Sequence, residues 1–110
     1  MGKASSPAKS LFGRRLREAR LRAGIAQDKL GVMIGLDEGS SSARMSRYEN
    51  GVHEPPFLWV ERIADALGVP AAYFYCDDDR LAEIILIYSA LPEKKRKSLC
   101  TYAADLAGTV

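Results

Sequence analysis

The side chains able to do chemistry are few, and their types point away from catalysis. His53 is the sole histidine, and Cys76 and Cys100 are the two cysteines. A nucleophile needs a base within reach and a third group to orient it; no Ser/His/Asp or Cys/His set is visible around a single histidine. The same three residues lack the short ligand spacings of a structural zinc site. The run Asp77-Asp78-Asp79 lacks the glycine and downstream glutamate of a calcium loop. The stretch Gly35 to Ser42 lacks the lysine that a phosphate-cradling loop requires. The expectation is therefore no enzyme, no metal and no cofactor. What remains is guanidinium chemistry. An arginine carries a planar donor fork that can give two hydrogen bonds to guanine O6 and N7, and the chain has ten of them. A good bidentate pair of this kind discriminates between bases by about 1–3 kcal/mol.

The charge distribution agrees with that chemistry. The chain has 110 residues and a formal net charge of +2. Residues 1–62 carry 11 Lys+Arg against 7 Asp+Glu, whereas residues 63–110 carry 5 against 7. The basic half is the one to test against nucleic acid. One modest core is all that such a length can bury. No apolar run approaches the ~18 residues of a membrane helix, and the arginine-rich first 30 residues hold no secretory h-region. A cytoplasmic protein is expected, associated with the nucleoid through DNA. Both cysteines lie in apolar surroundings and are expected as buried thiols of a reducing compartment.

The elements that must position such arginines are helical. Residues 1–10 are small, polar and proline-containing, and read as a flexible arm. Phe12, Leu16, Ala19 and Ala23 make one stripe of a helix over 11–23, with Ser10 as a candidate cap and Gly24 as its stop. A second helix opens at Gln27, carries Leu30, Met33 and Ile34, and is closed by Gly35. Asp37 to Ser42 is a breaker cluster. A third, short helix is expected over about Ser42–Glu49, capped by Ser41 and closed by Asn50-Gly51. Met45 and Tyr48 face its core. A fourth spans about Phe57–Leu67, with Trp59 as a packing anchor, and a short fifth follows Pro70. A sixth is expected over about Arg80–Ser89, with Leu81, Ile84, Ile85 and Tyr88 as its core stripe. Leu86 and Ile87 make this helix apolar nearly all round, which calls for burial on both sides and so for a partner chain. A seventh covers about Pro92–Leu106, with Leu99, Ala103 and Leu106 in register. Its basic run Lys94-Lys95-Arg96-Lys97 reads as a solvated face, alternatively as a patch that meets flanking phosphates beside a dimer.

The order of these pieces resembles the phage repressor/Cro-like, or XRE, helix-turn-helix family. The resemblance is carried by Leu16 and Arg20, Gln27-x-x-Leu30, Gly35, Met45-Ser46-x-x-Glu49-x-Gly51 and Pro55. It ends with Ile63-Ala64-x-x-Leu67-Gly68-Val69. It covers roughly residues 11–75. It implies a lambda-repressor-like helix-turn-helix domain of about five helices over 11–76. The two C-terminal helices over 80–107 lie outside it, and the apolar sixth helix assigns them to dimerisation, so the expected fold is all-α throughout. In such a module the short third helix enters the major groove. The family's base readers map onto Ser42, Ala43 and Arg47, with Gln27 at the start of the second helix. Arg44 joins them on side-chain reach alone. Asn50 maps to a backbone contact, alternatively a turn residue in left-handed geometry. Arg20 and Glu49 map to an internal salt bridge. One departure stands out, because the turn between the second and third helices carries about four extra residues within Asp37–Ser41.

The resemblance implies a transcriptional regulator, a repressor, that reads an inverted repeat in double-stranded DNA as a homodimer. Ile84, Leu86, Ile87 and Leu99 are the candidate interface. No effector pocket is legible. The alternative is an antitoxin-like or adaptor module that binds a protein, since fold does not set function.

Overall fold

A computed structural model describes residues 10–108, and among them the chain is helical throughout, with no strand. The arm expected over 1–10 lies, apart from Ser10, outside the described residues. The order is α1 Leu11–Ala23, α2 Gln27–Met33, α3 Ser41–Glu49, α4 Phe57–Leu67, a 3-10 turn Ala71–Tyr75, α5 Asp79–Ala90 and α6 Glu93–Ala107. The fifth expected helix is therefore a 3-10 segment, and the sixth and seventh are α5 and α6.

Local chemistry explains the boundaries. Ser10 Oγ accepts the Gly13 N–H at 3.0 Å and starts α1. Gly24 and Gly68 stop α1 and α4 in the left-handed region, where a side chain would be strained. The left-handed residue after α3 is Gly51, with φ 75°, while Asn50 sits at φ −88°. Asn50 therefore needs no special geometry, contrary to the turn-residue reading.

One core joins α1 to α4, the 3-10 turn and the start of α5. Leu16, Leu30, Met45, Val60, Ile63 and Phe74 are fully enclosed, and the Phe12 and Phe74 rings meet at a tilt with centroids 5.2 Å apart. Two glycines set how closely α3 is held. A Cβ on Gly13 would lie 2.3 Å from the Glu49 carbonyl oxygen, and one on Gly31 would lie 1.8 Å from Ser41 Oγ. Ser41 thus corrects an expectation. It is the first residue of α3 rather than its cap, fully buried, and its hydroxyl donates to the Asp28 carbonyl at 2.6 Å. Burial against α2 leaves that hydroxyl no route to the N–H groups of its own helix.

The Gly13 contact yields a test whose sign is diagnostic. On an isolated helix, Gly→Ala stabilises by about 1 kcal/mol. Here the obstacle is backbone, which cannot swing aside, so Gly13→Ala should instead cost about 1–3 kcal/mol. Urea unfolding reads the difference, and a stabilised variant would disprove so close an approach of α1 to α3.

The C-terminal pair departs most from expectation. Of α5 only Ala82 is buried, with Ile85 and Leu86 half-buried beside the core. Leu81, Ile84 and Tyr88, expected in the core stripe, are exposed, as is Ile87. The reason is steric: the small Ala82 lets α5 approach the body closely, which leaves the larger side chains on its other faces. On α6 no residue is buried, Leu99 is half-buried and Leu106 is 72% exposed. Cys76 is buried as expected, but Cys100 is exposed, because α6 packs mainly on α5 among the described residues and turns that side outward. No helix among the described residues is long and apolar enough to cross a membrane.

Candidate nucleic-acid interface

The third helix is held from behind by charge as well as by packing. Glu49 is 1% exposed and accepts from Arg20 at both oxygens, Oε2 from Nε and Oε1 from Nη2 at 3.2 Å. Arg20 Nη1 also donates to the Ile25 carbonyl at 2.9 Å, just past the end of α1. Gln27 Nε2 donates to Glu49 Oε1 at 3.0 Å. A carboxylate can only accept, so the amide nitrogen of Gln27 must face it. One carboxylate thereby ties the C-terminal turn of α1 and the first residue of α2 to the last residue of α3. Every buried side-chain polar atom among the described residues has a partner, as low-dielectric surroundings demand.

With Met45, Tyr48 and Glu49 turned inward, the opposite face of α3 is free. Ser42, Ala43, Arg44 and Arg47 are all exposed on it. The Arg47 guanidinium has no ion-pair partner among the described residues. Arg44 Nη1 rests 3.5 Å from the Tyr48 hydroxyl, which leaves its other donors open. Asn50 is half-buried and donates from Nδ2 to Ser46 Oγ at 3.2 Å. Gln27, half-buried, reaches this end of α3 through Glu49. The six nominated residues thus lie on α3 or against its C-terminal end. Ile84, Leu86, Ile87 and Leu99 are elsewhere, on the α5–α6 pair.

The long connection between α2 and α3 does not loosen the start of α3. Leu36 is buried and its N–H donates to the Gly31 carbonyl at 2.9 Å. Only Asp37 to Ser40 project, closed by a turn from the Ser40 N–H to the Asp37 carbonyl at 3.0 Å. The basic run on α6 is smaller than it looks. Arg96 donates to the Tyr88 and Ser89 carbonyls at 3.1 and 2.8 Å and lies over the Tyr88 ring, so it closes the end of α5. Lys94, Lys95 and Lys97 stay exposed.

Sequence reasoning missed two participants. Gly13 and Ser41 set the seating of α3, and their signal was weak: a glycine inside a helical stripe, and a serine one residue from the expected helix start. It also missed Arg15. This side chain is 3% exposed and donates from Nε to the Cys76 carbonyl at 3.0 Å and from Nη2 to Asp79 Oδ1 at 2.9 Å. Burial disfavours its charge, but the hydrogen bond and charge of Asp79 outweigh that and hold the guanidinium more firmly protonated than usual. In return Arg15, then Arg14, holds the Asp79 carboxyl below the usual carboxylate range. No group of three or more potential metal-ligating side chains converges among the described residues.

Residues 11–73 match the model of a helix-turn-helix domain. The chain is similar to the cryptic phage CTXphi transcriptional repressor RstR of Vibrio cholerae, at 28% identity over 94 residues and 81% of each chain. It is also similar to the crystal structure of the transcriptional regulator BswR. That match has a TM-score of 0.83 and 44% identity, and covers 89% of this chain and 98% of the other.

Proposed function

The chain belongs to the helix-turn-helix domain family, and on that basis we propose that it is a transcriptional repressor that binds double-stranded DNA sequence-specifically as a homodimer. The observation that carries this reading is the split of α3: one face locked by Met45, Tyr48 and Glu49, the other presenting Ser42, Ala43, Arg44 and Arg47 to solvent. A nine-residue helix fits the ~12 Å major groove. Ser42 and Ala43 keep the entering turn slim, and Arg47 and Arg44 bring bidentate donors to guanine edges. Gln27 keeps one amide N–H to donate to a phosphate beside the groove, and Asn50 contacts the backbone where the chain leaves α3. The similarity to a phage repressor and a transcriptional regulator supports regulation as the outcome.

The organisation follows from the same reading. Residues 11–76 form the DNA-binding domain and residues 80–107 the dimerising extension. Exposed Leu81, Ile84, Ile87, Tyr88 and Leu106, with Leu86 and Leu99 at their margin, give α5 and α6 an apolar face that a second copy covers. The two protomers then address half-sites about one helical turn, ~34–36 Å, apart.

Selection from random duplex DNA at roughly physiological salt tests this, because non-specific attraction is weak there. The expected product is an inverted repeat. A lone half-site would retain DNA reading and discard the dimer. No enrichment by folded protein would overturn the reading in favour of a protein-binding module, whose partner would then map to α5 and α6.

A further inference from the structure

A polar joint connects α1 to the start of α5. The apolar attachment of α5 to the body is slight, with one buried alanine and two half-buried neighbours. Around it, α1 supplies a row of guanidinium groups. Arg15 Nη2 and Arg14 Nη1 both meet Asp79 Oδ1, at 2.9 and 3.2 Å, and Asp79 is the first residue of α5. Arg15 also holds the Cys76 carbonyl in the segment leading to α5 and lies over the Tyr73 ring. Glu18 braces both arginines, at 3.4 Å from Arg14 and 3.3 Å from Arg15. Further along, Arg22 lies 3.8 Å from Glu83. The same helix seats α3 through Arg20 and Gly13. Helix α1 is therefore a strut with the base-reading helix on one side and the dimerising helices on the other.

We propose that the Arg14–Arg15–Asp79 joint is a positioning device that sets which half-site spacing the dimer accepts. This rests on the dimeric DNA-binding reading above. Each added base pair shifts the second half-site by about 3.4 Å and turns it by about 34° around the duplex. A rigid joint forces a mis-spaced duplex to twist or bend, whereas a loosened one lets the protein follow. Asp79 can be removed without removing the helix cap, because Asp78 accepts the Arg80 and Leu81 N–H groups.

The test measures equilibrium binding of the full chain to three kinds of duplex: a single half-site, the selected inverted repeat, and repeats lengthened or shortened by two base pairs. The parent should prefer its selected spacing by at least about tenfold, given what deforming a duplex costs. Asp79→Ala should bind the single half-site within about twofold of the parent, yet its spacing preference should fall below about threefold. Arg14→Gln, which removes the more exposed partner, should move the preference the same way by less. Thermal melts taken alongside separate loosening from unfolding. If Asp79→Ala or Arg14→Gln kept the parent's full preference while folded, or if Asp79→Ala unfolded and Arg14→Gln kept it, the proposal would be overturned with the dimer intact. A parent with no spacing preference would overturn this inference alone, and a parent that bound the repeat no more tightly than the single half-site would overturn the dimer reading with it.

Discussion

Glu49→Ala should lower stability by about 3–5 kcal/mol, the cost of breaking a buried ion pair by removing one partner. For a domain of this size that is a fall in midpoint of roughly 15–30 °C. The loss is large because Glu49 serves three elements at once. It takes two hydrogen bonds from Arg20 and one from Gln27, so its removal strands donors on α1 and on the first turn of α2. Arg20 is 9% exposed and keeps only the Ile25 carbonyl. A double variant, Arg20→Met with Glu49→Met, should recover much of the loss, because it removes both charges and fills the space with apolar volume. Calorimetric melts of the two variants beside the parent decide the matter. A Glu49→Ala protein melting within a few degrees of the parent would mean that packing alone seats α3.

That pair also marks how far the sequence could be read. Arg20 and Glu49 are 29 positions apart, and only the family resemblance paired them before the structure brought them together. The helices of the body were legible because their apolar residues repeat at helical spacing and their ends carry Ser10, Gly24, Gly51 and Gly68. The inner and outer faces of α3 were legible for the same reason: Met45 and Tyr48 are spaced to face one way, leaving the arginines outside. Where α3 begins was not legible. Ser40, Ser41 and Ser42 are equivalent as sequence, and only the absence of a side chain at Gly31 makes room for Ser41 to sink against α2. The face of α5 was misread because periodicity weighs size, so Leu81, Ile84 and Tyr88 outvoted Ala82. Contact with the body instead selects the smallest residue, where two backbones come closest. Arg15 went unread because an arginine on a helical stripe looks solvated until its partner, 64 positions away, is in place.

The largest functional effect falls on Arg47. Its replacement by alanine should weaken binding to the selected operator by about 10- to 100-fold, the range of one lost bidentate base contact. Arg47 has no ion pair within the described residues and is exposed, so its loss strands nothing inside the protein. The melting temperature should therefore stay within about 2 °C of the parent, since surface substitutions usually change stability by less than 0.5 kcal/mol. Arg44→Ala should behave alike, with a smaller loss because part of its guanidinium already rests against the Tyr48 hydroxyl. The two roles open to an arginine at a groove separate cleanly. A base contact predicts that Arg47→Ala loses discrimination at one base-pair position while the salt slope changes little. A phosphate contact predicts uniform weakening across sequences and a slope reduced by about one. Anisotropy titrations on the operator and its single-position variants, at several salt concentrations, distinguish them. Unchanged affinity on every duplex would remove α3 from the groove, because Arg47 lies on the exposed face that would meet the bases.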